Sequence, residues 1–291
     1  MQNNNLLYHL IAISIVVVWG TTFVSTKILL LNGLTPAGIF AIRFFIAYIG
    51  LVIISHKRMF CKNLKDELLV VLLGLFGGSM YFLTENMSLN YTTTTNTSLI
   101  VCSCPLFSTL LICYFFKTKL TKSQIFGDVF AFLGMAIVVL NGQFVLHLSP
   151  IGDMLAFGAC LCWAFYSLIM RLLVSNYSSV FITRKVFGYG LLTIIPWFLF
   201  RPEDSPVNVD FTNPLLWGNI LFLSLVASLT CYSLWTVCLK RLGVIAATNY
   251  VYINPIATVG AAVIVLNEQI TIWFILGSLF ILAGLWLHNR N

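Results

Sequence analysis

The 291-residue sequence predicts an all-α membrane protein of ten transmembrane helices arranged as two inverted five-helix repeats. Three observations lead there. Hydrophobic residues make up 59% of the chain and charged ones 9%, against about 25% charged in soluble domains; the mean hydropathy is +0.96, more apolar surface than one or two packed cores can hide. Apolar runs recur along the whole length, each near the roughly 20 residues that cross a bilayer. The second half echoes the first at a nearly constant offset. A soluble globular fold is already excluded.

The runs are separated by short polar or Gly/Pro punctuation. The first, 6 to 31, follows Met1 to Asn5, which lacks a basic n-region, and is about twice the length of a signal-peptide core, so it is expected to remain as a span. The second, 35 to 55, opens at Thr35-Pro36. The third, 67 to 90, carries Gly74-xxx-Gly78, a spacing that lets helix backbones approach closely. The fourth, 92 to 116, opens on the hydroxyl run Thr92 to Ser98, which either caps orphan helix amides or forms an outer gate with Asn96 as its strongest hydrogen-bonding group. The fifth covers 124 to 142, the sixth 152 to 175 and the seventh 179 to 200. The eighth, 215 to 240, contains Ser224-xxx-Ser228; the ninth, 244 to 267, and the tenth, 270 to 288, complete the set. Residues 1–142 and 152–291 thus form the two expected repeats.

Charge sets the expected orientation. With the N-terminus in the cytoplasm, the inner connections hold Lys57, Arg58, Lys62, Lys65, Lys117, Lys119, Lys122, Lys240 and Arg241, and inner helix ends add Arg171, Arg184, Lys185 and Arg290. The outer connections keep Arg201 and collect Asp153, Glu203, Asp204, Asp210 and Glu268. Basic residues near spans resist translocation, so both termini are expected inside a cytoplasmic (inner) membrane. The net charge of +7 is scattered singly among apolar runs, which argues against a nucleic-acid partner.

Pro105 and Pro255, Thr121 and Thr271, Gly127 and Gly277, and Gly134 and Gly284 each lie 150 residues apart. With small slips Trp19 matches Trp163, Lys27 matches Arg171, and Tyr81 matches Tyr232. Five spans per half is an odd number, so the second copy enters the bilayer from the opposite side, the design that lets two bundles exchange inward-open and outward-open shapes. A duplicated bundle is also a plain way to build a large helical protein. Pro105 and Pro255 each free a carbonyl one turn earlier, so the fourth and ninth spans are expected to bend and to face the interior, unless the kinks serve packing alone.

A charge at depth costs at least about 2.5 to 3.5 kcal/mol, so Lys27, Arg43 and Glu85 are the polar residues hardest to explain as surface features. They are expected to meet inside the bundle, with Glu85 pairing Lys27 or Arg43 and the remaining cation receiving an anionic group of a solute. Lys27 can instead snorkel to headgroups, Arg43 and Glu85 can be a structural pair, and Glu85 can carry a coupling proton. Trp19, Tyr81, Trp163, Tyr166, Tyr232, Trp235, Tyr250 and Tyr252 set amphipathic rings deep in spans, where they either line a pocket or pack. Asn254 stands near midplane beside Pro255. The expected binding set is Trp19, Lys27, Arg43, Tyr81, Glu85, Asn96, Trp163, Tyr232, Tyr250 and Asn254.

Seven of the eight cysteines lie inside apolar runs and only Cys61 in a polar loop, so they read as small buried residues rather than disulfides or metal ligands. His9, His56, His147 and His288 fall near span ends, where a solvated imidazole is the ordinary explanation. No nucleophile-base pair and no phosphate-cradling loop is present, so neither an enzyme nor an ATP-driven pump is expected.

The Trp19-Gly20 turn followed by Lys27, the stretch Pro36 to Arg43-Phe44, and Tyr91 to Pro105 resemble the drug/metabolite transporter superfamily in its ten-helix EamA form. Leu242-Gly243 through Pro255, then Leu266 to Thr271 and Gly277, repeat the last piece. The chain departs from that family at Thr118-Lys119, often a glutamate before Leu-Thr, and at Glu85-Asn86, usually small and apolar. The resemblance implies an inner-membrane permease, often an exporter, with a central cavity between the halves and no cofactor. The expected activity is alternating-access movement of a small organic metabolite such as an amino acid. A multidrug or amphipathic-cation exporter and a non-transporting subunit or receptor are the alternatives.

Overall fold

The computed structural model describes residues 2–55, 59–92, 94–140, 149–205, 213–266 and 271–290, with the side chains of 2–5, 94–96 and 261–266 not among them. His56, Lys57, Arg58, His147, Asp210, Asn267, Glu268, Gln269 and the Asn96 side chain lie outside the described residues.

Among the described residues all regular structure is helical. The first helix, α1, spans Gln2–Leu31. Pro36 starts α2 (Pro36–Ile54), whose first turn is closed by Thr35 Oγ1 accepting from the Gly38 amide at 3.1 Å. Asn63 caps α3 (Leu64–Gly74) in the same way, with Asp66 and Glu67 in the first turn complementing the helix dipole. A π turn, Leu75–Ser79, kinked at Gly78 where the backbone leaves helical values (φ −122°, ψ −105°), joins α3 to α4 (Met80–Tyr91). Next come α5 (Thr94–Val101), α6 (Cys104–Phe116), α7 (Lys122–Leu140), α8 (Pro150–Leu173) and α9 (Ser179–Phe200). A second π turn, Phe222–Thr230, lies between α10 (Pro214–Leu221) and α11 (Cys231–Leu242). A 3-10 turn, Tyr250–Ile253, separates α12 (Val244–Asn249) from α13 (Asn254–Leu266), and α14 is Ile272–Asn289.

Eight of these rods are long and apolar enough to cross a membrane. Of the other two, α9 is an unbroken helix whose apolar run contains Arg184 and Lys185, and α12 is separated from α13 by the 3-10 turn. The protein is an all-α, multi-span membrane protein with eight to ten long apolar helices. Its outside is correspondingly greasy, with Leu110, Leu133, Leu192, Leu279 and Trp286 exposed, while Trp19, Phe44, Trp163, Tyr232 and Trp235 are buried. The surface is built for lipid contact.

The prolines act more sharply than a bend. The fourth rod stops at Val101, passes through Cys102 and Ser103, and restarts with Pro105 second in α6. The ninth tightens into 3-10 geometry and restarts with Pro255 second in α13. A ring without an N–H is tolerated in a first helical turn, so the chain breaks just before each one.

Glycines set the tightest crossing. A Cβ on Gly134 would stand 2.6 Å from the Gly277 carbonyl oxygen, and one on Gly127 2.7 Å from that of Gly284. The helices α7 and α14 therefore run antiparallel with their backbones touching. Gly74 meets Tyr189 and Gly190 of α9 in the same manner.

Connections gather at two ends. At one, Thr35 Oγ1 donates to the Asp204 carbonyl, Trp197 Nε1 to the Asp204 carboxylate, and Thr92 Oγ1 to Asp153. At the other, basic end, Lys240 reaches the Tyr177 carbonyl, Arg171 reaches Thr118, and Lys185 pairs with Glu67.

Candidate functional site

A small central cavity of about 40 Å³ lies where both broken rods and both π-turned rods converge. From α1 come Trp19, Thr22 and Phe23, from α2 Arg43, and from α4 Tyr81, Phe82 and Glu85. Trp163 of α8 and Tyr232 of α11 face them. The broken rods add Val101 and Cys104 on one side and Val251 and Asn254 on the other. Val101 and Val251 each sit one helical turn before a proline, which ties the helix breaks to the cavity wall.

The aromatic wall is interlocked. Trp19 meets Trp163 edge-on with centroids 5.6 Å apart, Tyr232 lies 5.4 Å from Trp19, and Tyr81 lies 5.3 Å from Trp163. The π turns supply its hydrogen-bond partners. Trp19 Nε1 donates to the Ala227 carbonyl at 3.0 Å and Tyr232 Oη to the Gly77 carbonyl at 3.1 Å. An i→i+5 turn disturbs the regular backbone ladder and leaves such oxygens available.

Arg43 is buried, with its guanidinium 4.6 Å from the Phe82 ring centroid and its Nε donating to Ser228 Oγ in the second π turn. Glu85 is also buried and within electrostatic reach of Arg43. The ion pairs among the described residues are Lys185–Glu67 and His288–Asp128, so Glu85 is bridged to neither Arg43 nor Lys27. Two buried polar atoms of the wall, Trp163 Nε1 and Asn254 Oδ1, have no hydrogen-bond partner among the described residues. The cavity thus offers a cation, a carboxyl group, a spare donor and a spare acceptor between aromatic rings.

Of the expected binding residues, Trp19, Arg43, Tyr81, Glu85, Trp163, Tyr232 and Asn254 come together here. Lys27 does not. Its Nζ donates to the Leu89 carbonyl at 2.8 Å, capping the last turn of α4 where carbonyls lack helical partners. Tyr250 is turned toward α1, its hydroxyl 2.6 Å from His9 Nδ1. The 3-10 turn explains this: three residues per turn put Val251 and Asn254 on one face and Tyr250 on another. Asn96 is outside the described side chains. Thr22, Phe23, Phe82 and Cys104 carry no sequence signal that separates them from packing residues.

The EamA-like transporter family profile matches residues 6–140 and again residues 150–290, nearly the whole chain. The chain belongs to the EamA-like transporter family. An uncharacterized transporter of Archaeoglobus fulgidus is 26% identical over 285 residues, 96% of both chains. The "Probable amino-acid metabolite efflux pump" of Escherichia coli K12 is 24% identical over 290 residues, 96% of this chain and 93% of that one. A crystal structure with a TM-score of 0.76 and 16% identity covers 99% of this chain and 97% of its own, and shares the fold. As an EamA-like protein the chain is a multi-pass secondary transporter that moves small organic solutes across a membrane, and is not an enzyme.

Proposed function

We propose that this EamA-like transporter exports a small zwitterion of the amino-acid type from the cytoplasm by alternating access. One observation carries the reading: Arg43 and Glu85 border one cavity without bridging each other, beside the orphaned Trp163 Nε1 and Asn254 Oδ1. An α-carboxylate fits the Arg43 and Trp163 donors, an α-ammonium fits Glu85 and Asn254, and the aromatic wall takes the side chain. The named activity of the Escherichia coli relative supports amino-acid export.

Two five-helix copies, 1–142 and 152–291, lie inverted in the cytoplasmic membrane with both termini inside. The crossing of α7 and α14 supports the inversion. Gly127 opposes Gly284 while Gly134 opposes Gly277. Since Gly127 corresponds to Gly277 and Gly134 to Gly284, the contact is reciprocal, as a two-fold axis between antiparallel equivalents requires. The basic cluster at one end supports its cytoplasmic placement.

The ring cluster also favours a second reading, an amphipathic cation held by cation–π contact with Glu85 as counter-charge. Counterflow in proteoliposomes separates the two, using radiolabelled neutral L-amino acids and tetraphenylphosphonium as probes. Amino-acid exchange that falls at least tenfold in Arg43→Gln supports the zwitterion. Exchange of the cation alone, undiminished in Arg43→Gln, overturns it, and no exchange of any probe favours a receptor or subunit.

A further inference from the structure

A groove of about 420 Å³, far larger than the central cavity, runs along the outside of the bundle between α2 and α9. Its floor is Gly188, where a Cβ would stand 3.0 Å from Cε2 of Tyr48, so the Tyr48 ring lies directly on the α9 backbone. Phe45 of α2 and Leu191, Leu192 and Ile195 of α9 form its sides. From Arg184 onward these α9 positions share one helix face, being three or four residues apart. Phe45, Leu192 and Ile195 are exposed, so the groove opens along its length toward the surrounding lipid.

The groove changes character at the basic end. Arg184 and Lys185 line it there, together with Met59, Phe60 and Tyr189. The Arg184 guanidinium donates to the Ser55 carbonyl just past the end of α2, and Lys185 Nζ lies 5.1 Å from the Phe60 ring centroid. Lys185 also pairs with Glu67, whose carboxylate accepts in addition from the Tyr189 hydroxyl and the Cys61 amide. That acid is therefore answered by donors of the protein itself. Between Ser55 and the first turn of α3 the sequence adds Lys57, Arg58, Lys62 and Lys65, so cations outnumber the neighbouring acids, Asp66 and Glu67.

The depth of the groove matches one leaflet. Arg184 and Ile195 are eleven residues apart on a single helix, which is about 16 Å of rise, and half of a hydrocarbon core is about 15 Å. An acyl chain laid from the basic end toward the midplane has this reach, and it leaves its head group among the cations.

We propose that the groove between α2 and α9 is a binding site for a phospholipid with an anionic head group, drawn from the leaflet at the basic end. One acyl chain lies over Gly188 between Tyr48 and Leu192, and the phosphate faces the surplus positive charge around Arg184 and the connection from α2 to α3. A zwitterionic lipid fills the apolar part equally well, so the surplus of cations is what selects the anionic one. The site is separate from the central cavity and does not depend on which solute the chain carries.

Native mass spectrometry of the full chain in detergent tests the proposal, with phosphatidylglycerol and phosphatidylcholine of identical acyl chains as probes. The wild type is expected to retain the anionic lipid at least about threefold more than the zwitterionic one. Leu192→Trp fills the groove and is expected to abolish that preference, with Ile195→Trp as the second variant should the first fail to fold. Leu279→Trp, the same change at an exposed residue of α14, is expected to keep it. Lys57→Gln combined with Arg58→Gln is expected to bring the two lipids close to parity. Equal retention of both lipids by the wild type overturns the proposal, as does a preference that survives in the groove-filling variants or in the charge variant. Displacement of the lipid by an equal concentration of glycerol phosphate overturns it in favour of a soluble anion, and a dimer that dissociates in Leu192→Trp overturns it in favour of a second copy of the chain.

Discussion

Trp19 donates its indole N–H to the carbonyl oxygen of Ala227 at 3.0 Å, and thereby ties α1 to a π turn more than 200 positions away in the chain. The counterpart on the other side is Tyr232, whose hydroxyl reaches the carbonyl of Gly77 in the first π turn at 3.1 Å. Gly77 and Ala227 lie 150 residues apart, the offset that relates the two halves. These two cavity rings, Trp19 and Tyr232, are thus each held by a backbone irregularity in the other half of the chain.

Tyr232→Phe keeps the ring but leaves the Gly77 carbonyl without this partner. A buried oxygen deprived of its hydrogen bond costs about 1–3 kcal/mol, so the variant is expected to unfold several degrees below the wild type in detergent, with Trp19→Phe behaving alike. Melting curves that overlay the wild type would show that the π-turn carbonyls do not anchor the wall.

The crossing of α7 and α14 makes a harsher test. In Gly134→Ala the new methyl group lies 2.6 Å from both the Gly277 carbonyl oxygen and the Ile281 amide nitrogen, and backbone atoms cannot swing aside as a side chain can. Overpacking of this kind costs about 1–3 kcal/mol, to be read as a lower unfolding temperature and a smaller monodisperse fraction on size exclusion. Gly218→Ala is the control, because nothing lies within 4 Å of its Cβ position. Equal stability of the two variants would contradict the tight crossing.

How far the sequence foretold this arrangement depends on which force decided each position. Hydropathy and punctuation outline the rods, because lipid imposes the same demand on every span. The charges at depth pick out Arg43 and Glu85, which burial then gathers in one cavity. Lys27 obeyed a more local force, the orphan carbonyls at the end of α4. The π turns coincide with the small-residue pairs Gly74-xxx-Gly78 and Ser224-xxx-Ser228, a spacing that signals close helix packing and does not distinguish a π turn from a regular helix. Tyr250 missed the cavity because a 3-10 turn rotates the face that an α-helical reading assumes. Asp128 did leave a signal, a lone acid inside the run 124 to 142, but its partner His288 looked like a solvated end until α14 was seen against α7.

The basic end allows one prediction on pH. Cys61, in the loop before α3, is partly buried, and its amide donates to Glu67 Oε2 at 2.6 Å. Burial, and then the neighbouring Glu67 carboxylate, push its thiol up to about 11. The thiolate is the nucleophile, so at pH 8 Cys61 is expected to react with a membrane-impermeant maleimide about 100-fold more slowly than an ordinary exposed thiol, and about tenfold faster for each pH unit gained up to pH 10. Glu67→Gln removes the negative neighbour, lowers the thiol toward its usual range and accelerates labelling at pH 8. Peptide mass spectrometry after timed quenching follows this one site. Fast labelling at pH 7, or a rate unaffected by Glu67→Gln, would mean that the loop does not hold Cys61 against the carboxylate.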